Sequence, residues 1–419
     1  MSRPRLLFVN RFYYPDHSAT AQILTDLAEA LAARGWEIGV IASRLRYDDP
    51  AALLPARDTQ AGVTIRRVWS SRFGRAGLIG RAIDYLSFYV TAFFAILATA
   101  RRGDLVIAKT DPPLLSVVAS VAVRLRGAVL INWLQDLYPE VAAELGVGAM
   151  RGPFGRLLRR WRNASLRHAR LNIAIGERMA ERIAAQGVPA QQIAVMPNWS
   201  DETSIRPIAR AAVALRDEWG FGDAFVVGYS GNLGRAHEFE TLLGAASLLR
   251  HREDIVFLMI GGGHESARLA ARVADQGLAE RFRFRPYQPR ERLSESLGAA
   301  DVHWLSLRPE MEGLIVPSKF YGIAAAGRPV IAITDLDGEI ARIVVREACG
   351  IAISPGDAAD LAAQIEALAQ DPARVAAMGQ AARAVIERDF GRADAFARWD
   401  RLFSGLTHRS ALESGDDRQ

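Results

Sequence analysis

A chain of 419 residues is longer than one ordinary core, and its length favours two or three domains. Half of its residues are apolar and 24% are charged, which excludes a disordered or collagen-like chain, and the single cysteine, Cys349, excludes an internal disulfide. The net charge of +5 is carried by arginine almost alone, since Lys109 and Lys319 are the only lysines among 52 basic residues; no Cys/His cluster has zinc spacing, and a reducing cytoplasm is the natural setting.

The first apolar run, Leu6 to Asn10, is too short for a signal peptide and predicts a strand. A helix over 20–33 follows, in which Ile23, Leu24, Leu27, Ala30 and Leu31 recur at helical spacing before Gly35 ends it. Further apolar runs at 38–42, 63–68, 105–109, 129–134, 171–175 and 193–197 alternate with helical patterns, as in βαβ units of a parallel sheet. A polar, proline-bearing stretch, 198–210, interrupts the rhythm. It restarts with a strand at 225–229, a helix at 238–249 and strands at 256–260, 282–285, 302–305, 330–333 and 351–353.

The expected fold is therefore α/β, with two Rossmann-like doubly wound domains facing a central cleft: 1–205 and 206–389. A helix at about 390–408 is expected to cross back to the first domain, leaving 409–419 as a flexible tail. Ligands of such sheets bind outside the carboxyl ends of the strands, so function belongs in the loops that follow them.

Two segments bear on membranes. The apolar run 83–100 is broken only by Asp84 and Ser87 and flanked by Arg75, Arg81, Arg101 and Arg102; it predicts a helix that is buried in the first domain or lies at a membrane surface, a true span being the lesser alternative because the run barely reaches spanning length. The stretch 154–170 places six arginines among Leu157, Leu158, Trp161 and Leu166, a pattern that fits either an anionic lipid surface or a solvated helix face. No nucleic-acid recognition motif accompanies the charge.

Several loops carry chemistry. Tyr229-Ser230-Gly231-Asn232-Leu233-Gly234-Arg235-Ala236-His237 joins a strand to a helix; its small residues allow backbone to approach an anion, and Arg235 can clamp a diphosphate, although a tight turn alone also needs glycine. Asp136 and Glu140 sit in the loop after strand 129–134, where Asp136 can act on substrate or cap the next helix. The stretch from Arg308 to Lys319 brings Glu310, Glu312, Gly313 and one of the two lysines together at a strand end. Asp335-Leu336-Asp337 matches an Asp-x-Asp metal motif, but three letters are weak evidence and metal independence is expected. Gly261-Gly262-Gly263 only partly imitates a dinucleotide fingerprint.

Pro317-Ser318-Lys319-Phe320-Tyr321-Gly322, running into Ala324-Ala325-Ala326-Gly327-Arg328-Pro329-Val330-Ile331, together with the Gly231 loop, resembles glycosyltransferase family 4 and especially its WcaI/WbuB-like branch, associated with colanic acid and O-antigen synthesis. The resemblance runs from Phe12-Tyr13-Tyr14-Pro15 to about residue 405. It implies the GT-B fold and retaining transfer of a sugar (fucose, N-acetylfucosamine or another hexose) from a UDP- or GDP-linked donor. The implied acceptor is an undecaprenyl-diphosphate-linked saccharide at the inner face of the cytoplasmic membrane.

By the same resemblance Gly231, Asn232, Arg235 and Lys319 face the donor diphosphate, and Glu310, Glu312, Gly313, Leu314, Ile315, Val316 and Ser318 meet the sugar and phosphates through side chains and backbone amides. Tyr287 lies near the base, Asp136 near the reacting sugar, and Ser18 and Thr20 supply hydroxyls to the first loop. Two departures stand out: the family's glutamate pair, eight positions apart, falls here on Leu314 and Gly322, leaving Glu339 as a modest substitute, and its phosphate-binding arginine and lysine fall on Asn232 and His237. The other readings are a GT-B nucleotide-sugar epimerase, which needs no acceptor, and a non-catalytic protein that binds partners in a polysaccharide assembly.

Overall fold

The computed structural model describes residues 3–16, 18–47, 49, 52–74 and 77–416, excepting the side chains of 78 and 408–416. His17 and Arg75, and the last three residues of the expected tail, lie outside the described residues. The chain divides into two compact units, Met1–Met196 with Phe396–Gln419, and Pro197–Ala395.

The first unit is built on eight strands: β1 (Leu6–Val9), β2 (Ile38–Ser43), β3 (Arg57–Gln60), β4 (Val63–Val68), β5 (Leu105–Ala108), β6 (Val129–Leu134), β7 (Leu171–Ala174) and β8 (Ile193–Val195). Their order is β3-β4-β2-β1-β5-β6-β7-β8, parallel except where β3 runs against β4. β1, β2, β5 and β7 are buried along their whole length, which is why they read as unbroken apolar runs. β3 reads Arg-Asp-Thr-Gln, has no apolar residue, and was invisible to the sequence pattern; a tight turn at Ala61 and Gly62, both with positive φ (47° and 81°), lays it on β4 as an edge. From β1 the chain first builds outward to one side and then crosses to β5 on the other, so the switch point lies between the carboxyl ends of β1 and β5.

The chain end completes this unit's core. Trp399 and Phe403 are fully buried, with Trp399 4.6 Å from Trp133 and Phe403 6.4 Å from Phe8 between ring centroids. Trp36 Nε1 donates to Asp400 Oδ1 at 2.7 Å. The helix carrying them runs Arg392–Asp416, so residues 409–416 continue a helix rather than forming the expected tail.

The second unit holds six parallel strands, β9 (Phe225–Asn232), β10 (Ile255–Gly262), β11 (Phe282–Arg285), β12 (Val302–Ser306), β13 (Val330–Ile333) and β14 (Gly350–Ile353), in the order β11-β10-β9-β12-β13-β14. Its switch point lies between β9 and β12. The boundary falls at Met196 rather than after residue 205. The stretch after Pro197 is tied to the second unit by Arg383, whose guanidinium donates to the carbonyls of Glu202, Ile205 and Ala325 at 3.0, 2.9 and 2.8 Å.

Candidate functional site

At the second unit's switch point, Gly231 and Gly261 are the next-to-last residues of β9 and β10, both in the left-handed region with φ +127° and +117°. A Cβ on Gly261 would stand 2.5 Å from the Gly231 carbonyl, and one on Gly231 would stand 3.1 Å from Cε of Lys319. Side chains are thus kept out, and the floor beneath Lys319 is bare backbone.

Lys319 Nζ donates to His237 Nε2 at 3.0 Å. The other ring nitrogen, Nδ1, lies 2.6 Å from the Ser306 carbonyl, which can only accept, so the imidazole is neutral with its proton on Nδ1. Burial, and then the lysine charge, push His237 down to about 4; burial pulls Lys319 down to about 8. The Tyr229 ring, 5.1 Å from Nζ, forms the other wall. His237 and Ser306 therefore aim the ammonium while using one of its three protons, leaving two for a ligand.

Arg235 projects from the same loop into solvent and, among the described residues, makes no hydrogen bond or ion pair. Asn232 is also exposed, and Tyr287 is exposed with its ring beside Gly261 and Gly262. The 308–318 loop is tied to this one by Arg308 N donating to the Ala236 carbonyl at 3.0 Å. Glu310 is exposed and pairs with Arg308 at 3.7 Å, while Met311, Leu314 and Val316 are buried, so Leu314 and Val316 can offer a ligand only backbone. Gly313 is buried, Ile315 half-buried and Ser318 exposed.

Glu312, expected to meet the sugar, is turned inward. One carboxylate oxygen accepts from Glu339 N at 2.9 Å and the other from the Thr334 hydroxyl at 3.2 Å. With both oxygens engaged at the start of the Glu339–Arg346 helix, Glu312 braces the loop instead. Glu339 thus contributes its backbone N–H to this brace. The Asp-x-Asp match is a turn, in which Asp337 N donates to Asp335 Oδ1 at 2.9 Å and Asp337 pairs with Arg342 at 2.8 Å.

The first unit gathers a different set at its own switch point. Lys109, the residue after β5, is buried, donates to the Thr20 carbonyl at 3.1 Å and lies 3.7 Å from the centre of the Trp133 ring. Burial lowers it to about 7 and raises Asp111 and Asp136 to about 6, the charge of Asp111 adding to the rise in Asp136. The Thr20 hydroxyl reaches Asp111 Oδ2 at 3.5 Å, so Thr20 and Asp136 both join a cluster that sequence reading saw only in pieces. Ser18 stands apart, at the start of the Ala19–Ala33 helix, with its N–H donating to Asp16 Oδ1 at 2.8 Å. Asp111 and Arg11 were missed because no local pattern marks them; that they lie in the loops after the two strands flanking the switch point was the usable signal.

Beside this cluster is a cavity of about 490 Å³ lined by Arg11, Arg46, Arg72 and Arg81, with Asp84, Asp111, Phe12, Tyr47 and Tyr85.

Comparison with known proteins places both units. Residues 18–199 match the model of a glycosyl transferase 4-like domain and residues 214–385 that of glycosyl transferases group 1. The chain is 28% identical over 300 residues to a probable glycosyltransferase, WbjE, of Pseudomonas aeruginosa, covering 70% of this chain and 73% of that protein. It is 26% identical over 344 residues to the putative colanic acid biosynthesis glycosyl transferase WcaI of Escherichia coli K12, covering 79% and 83%. Among solved structures it resembles Anabaena HepE in complex with UDP, with a TM-score of 0.72 at 16% identity over 96% of this chain and all of that one. It also resembles WaaG, a glycosyltransferase involved in lipopolysaccharide biosynthesis, with a TM-score of 0.68 at 15% identity over 96% and 100%.

Proposed function

The chain belongs to the family 4 glycosyltransferases of GT-B fold, and from that premise we propose that it moves a hexose from a UDP- or GDP-linked donor to a lipid-linked saccharide in capsule, exopolysaccharide or O-antigen synthesis. The roles of WcaI in colanic acid biosynthesis and of WaaG in lipopolysaccharide biosynthesis support the polysaccharide setting, and the UDP bound by HepE supports a nucleotide-linked donor. The observation that carries the reading is Lys319, held by His237 over a glycine floor with two donor protons to spare.

In this reading the bond between the sugar's anomeric carbon and the diphosphate oxygen breaks as an acceptor hydroxyl oxygen attacks the same carbon. The acceptor's proton passes to the departing phosphate, and configuration is retained. Lys319, Arg235 and the backbone around Gly231 stabilise the charge that grows on the leaving group, without a divalent metal. Asp136, in the first unit, orients the acceptor, and the protein works at the cytoplasmic face of the inner membrane.

The test is nucleotide release from a panel of UDP- and GDP-sugars, with and without undecaprenyl-diphosphate-linked saccharides. Release should depend on acceptor, and Lys319→Ala should lower it about 10²–10³-fold, the usual cost of one preorganised charge-stabilising donor. Release undiminished in Lys319→Ala defeats the assignment. Sugar interconversion without acceptor favours an epimerase.

A further inference from the structure

The basic cavity belongs to the first unit and shares no residue with the Lys319 site, and three features of it converge on one ligand. Among the described residues that line it, four guanidinium groups, Arg11, Arg46, Arg72 and Arg81, face two carboxylates, Asp84 and Asp111, so the lining is basic. Its volume of about 490 Å³ lies within the roughly 300–1,000 Å³ of small-ligand sites. Arg11 is fixed before any ligand arrives: it is nearly buried, its guanidinium carbon lies 5.1 and 5.3 Å from the Phe12 and Tyr85 ring centres, and Asp84 holds it at 3.5 Å. Its Nε is buried without a hydrogen-bond partner. Asp84 is in turn occupied by the Ser71 hydroxyl and the N–H groups of Phe73 and Gly74, at 2.7, 2.9 and 3.1 Å. The carboxylate thus positions the arginine and does not repel an anion as a free one would.

Arg81, Asp84 and Tyr85 line the cavity from one side of the Leu78–Thr99 helix. A second stripe of the same helix, including Leu86 and Phe94, each 62% exposed, faces solvent. The stripe does not stand alone. Phe88 and Ile96 of this helix share a core with Ala119 and Val123 of the Leu115–Arg126 helix. That helix adjoins Pro153–His168 through Ser116 and Ser165, whose hydroxyls are 3.0 Å apart, and through Arg124 donating to His168 Nε2 at 3.0 Å. The two neighbours add Val121, Leu125, Phe154 and Trp161 to the exposed apolar surface. Exposed Arg156, Arg160 and Arg167 stand among them, the mixture that suits an anionic bilayer.

We propose that this cavity is the seat of the acceptor's diphosphate, and that the three-helix face beside it rests on the bilayer in which the acceptor's lipid is anchored. A lipid diphosphate esterified at both ends is an anion with two negative charges, and bidentate guanidinium groups suit its oxygens. The proposal rests on the acceptor reading above and adds the residues that execute it. A single helix contributes to both parts, so a headgroup in the cavity has its lipid within reach of the apolar face.

Binding of labelled inorganic pyrophosphate to the full chain tests the cavity. Flotation with vesicles of phosphatidylcholine and phosphatidylglycerol, with undecaprenyl diphosphate or undecaprenol added, tests the face. Arg72→Ala/Arg81→Ala, which removes two exposed side chains and spares the buried Arg11, should weaken pyrophosphate binding at least about tenfold. Leu86→Ser/Phe94→Ser should leave that binding intact and abolish flotation, and the native chain should prefer undecaprenyl diphosphate to undecaprenol. Pyrophosphate binding lost only in Lys319→Ala would overturn the cavity assignment by assigning all of it to the second unit. Pyrophosphate binding without a vesicle preference would mean a soluble phosphate ligand and overturn the lipid assignment, as would a dimer that Leu86→Ser/Phe94→Ser dissociates. Donor turnover is read separately: cavity binding without any donor turnover defeats the transferase reading alone, and turnover without cavity binding defeats this proposal alone.

Discussion

Both lysines of an otherwise arginine-based chain are held back from solvent beside the switch point of their own sheet, and burial lowers both, Lys109 to about 7 and Lys319 to about 8. A guanidinium would stay charged under the same burial, so lysine at these positions makes the charge sensitive to pH. The sign follows directly. Below about pH 8 Lys319 is an ammonium and attracts a diphosphate; above it the amine is neutral and the attraction fades. The donor KM should therefore rise as pH passes through about 8, and Lys319→Arg, where it is tolerated, should flatten that limb; KM profiles on both chains check it. Stability should move the other way. Because the folded pKa is below the unfolded one, the unfolded chain binds more protons between about 8 and 10.5, and this group's contribution to stability grows as pH climbs through that window. A KM that instead tracked loss of the fold would have the wrong direction.

The loop and helix joined by Glu312 show what sequence could and could not reveal about elements. The strands of both sheets other than β3 were legible because burial leaves apolar runs, and the Gly231 loop and Lys319 were legible because a glycine-rich turn and a rare residue stand out locally. Glu312 was not, since its carboxylate's partners, Thr334 and Glu339, lie 22 and 27 residues away and only folding brings them in. β3 failed for the opposite reason: it is an edge held by backbone pairing, with no apolar side chain to announce it. If Glu312 is a brace, Glu312→Ala leaves the Glu339 N–H without its acceptor and should cost about 1–3 kcal/mol in urea unfolding. Glu312→Gln keeps an acceptor for that N–H and should cost less, losing mainly the charge at the helix start. A residue that touched the sugar and supported nothing would show the reverse pattern, with activity lost in both variants and stability in neither.

At the scale of the molecule, the chain leaves its first unit at Met196, builds the whole of the second, and returns to finish the first with Trp399 and Phe403. The amino-terminal unit therefore lacks part of its core until the last helix is in place, whereas the hydrophobic clusters of the second are drawn from its own stretch of chain. Trp399 packs on Trp133, at the end of β6 that leads to Asp136, and Phe403 packs on Phe8 and Trp36, so cavities made there are felt beneath the first unit's candidate site. Trp399→Ala should cost about 3–5 kcal/mol, the range for emptying a large aromatic from a packed core. That cost should fall on one unit: limited proteolysis of the variant should open 1–196 while 197–395 persists, and a chain ending at residue 391 should exaggerate the difference. Donor affinity, which depends on Lys319 and its second-unit neighbours, should survive in Trp399→Ala under conditions where acceptor-dependent release is already lost. Equal sensitivity of both units to Trp399→Ala would mean that the returning helix stabilises the chain as a whole and not the first unit's core.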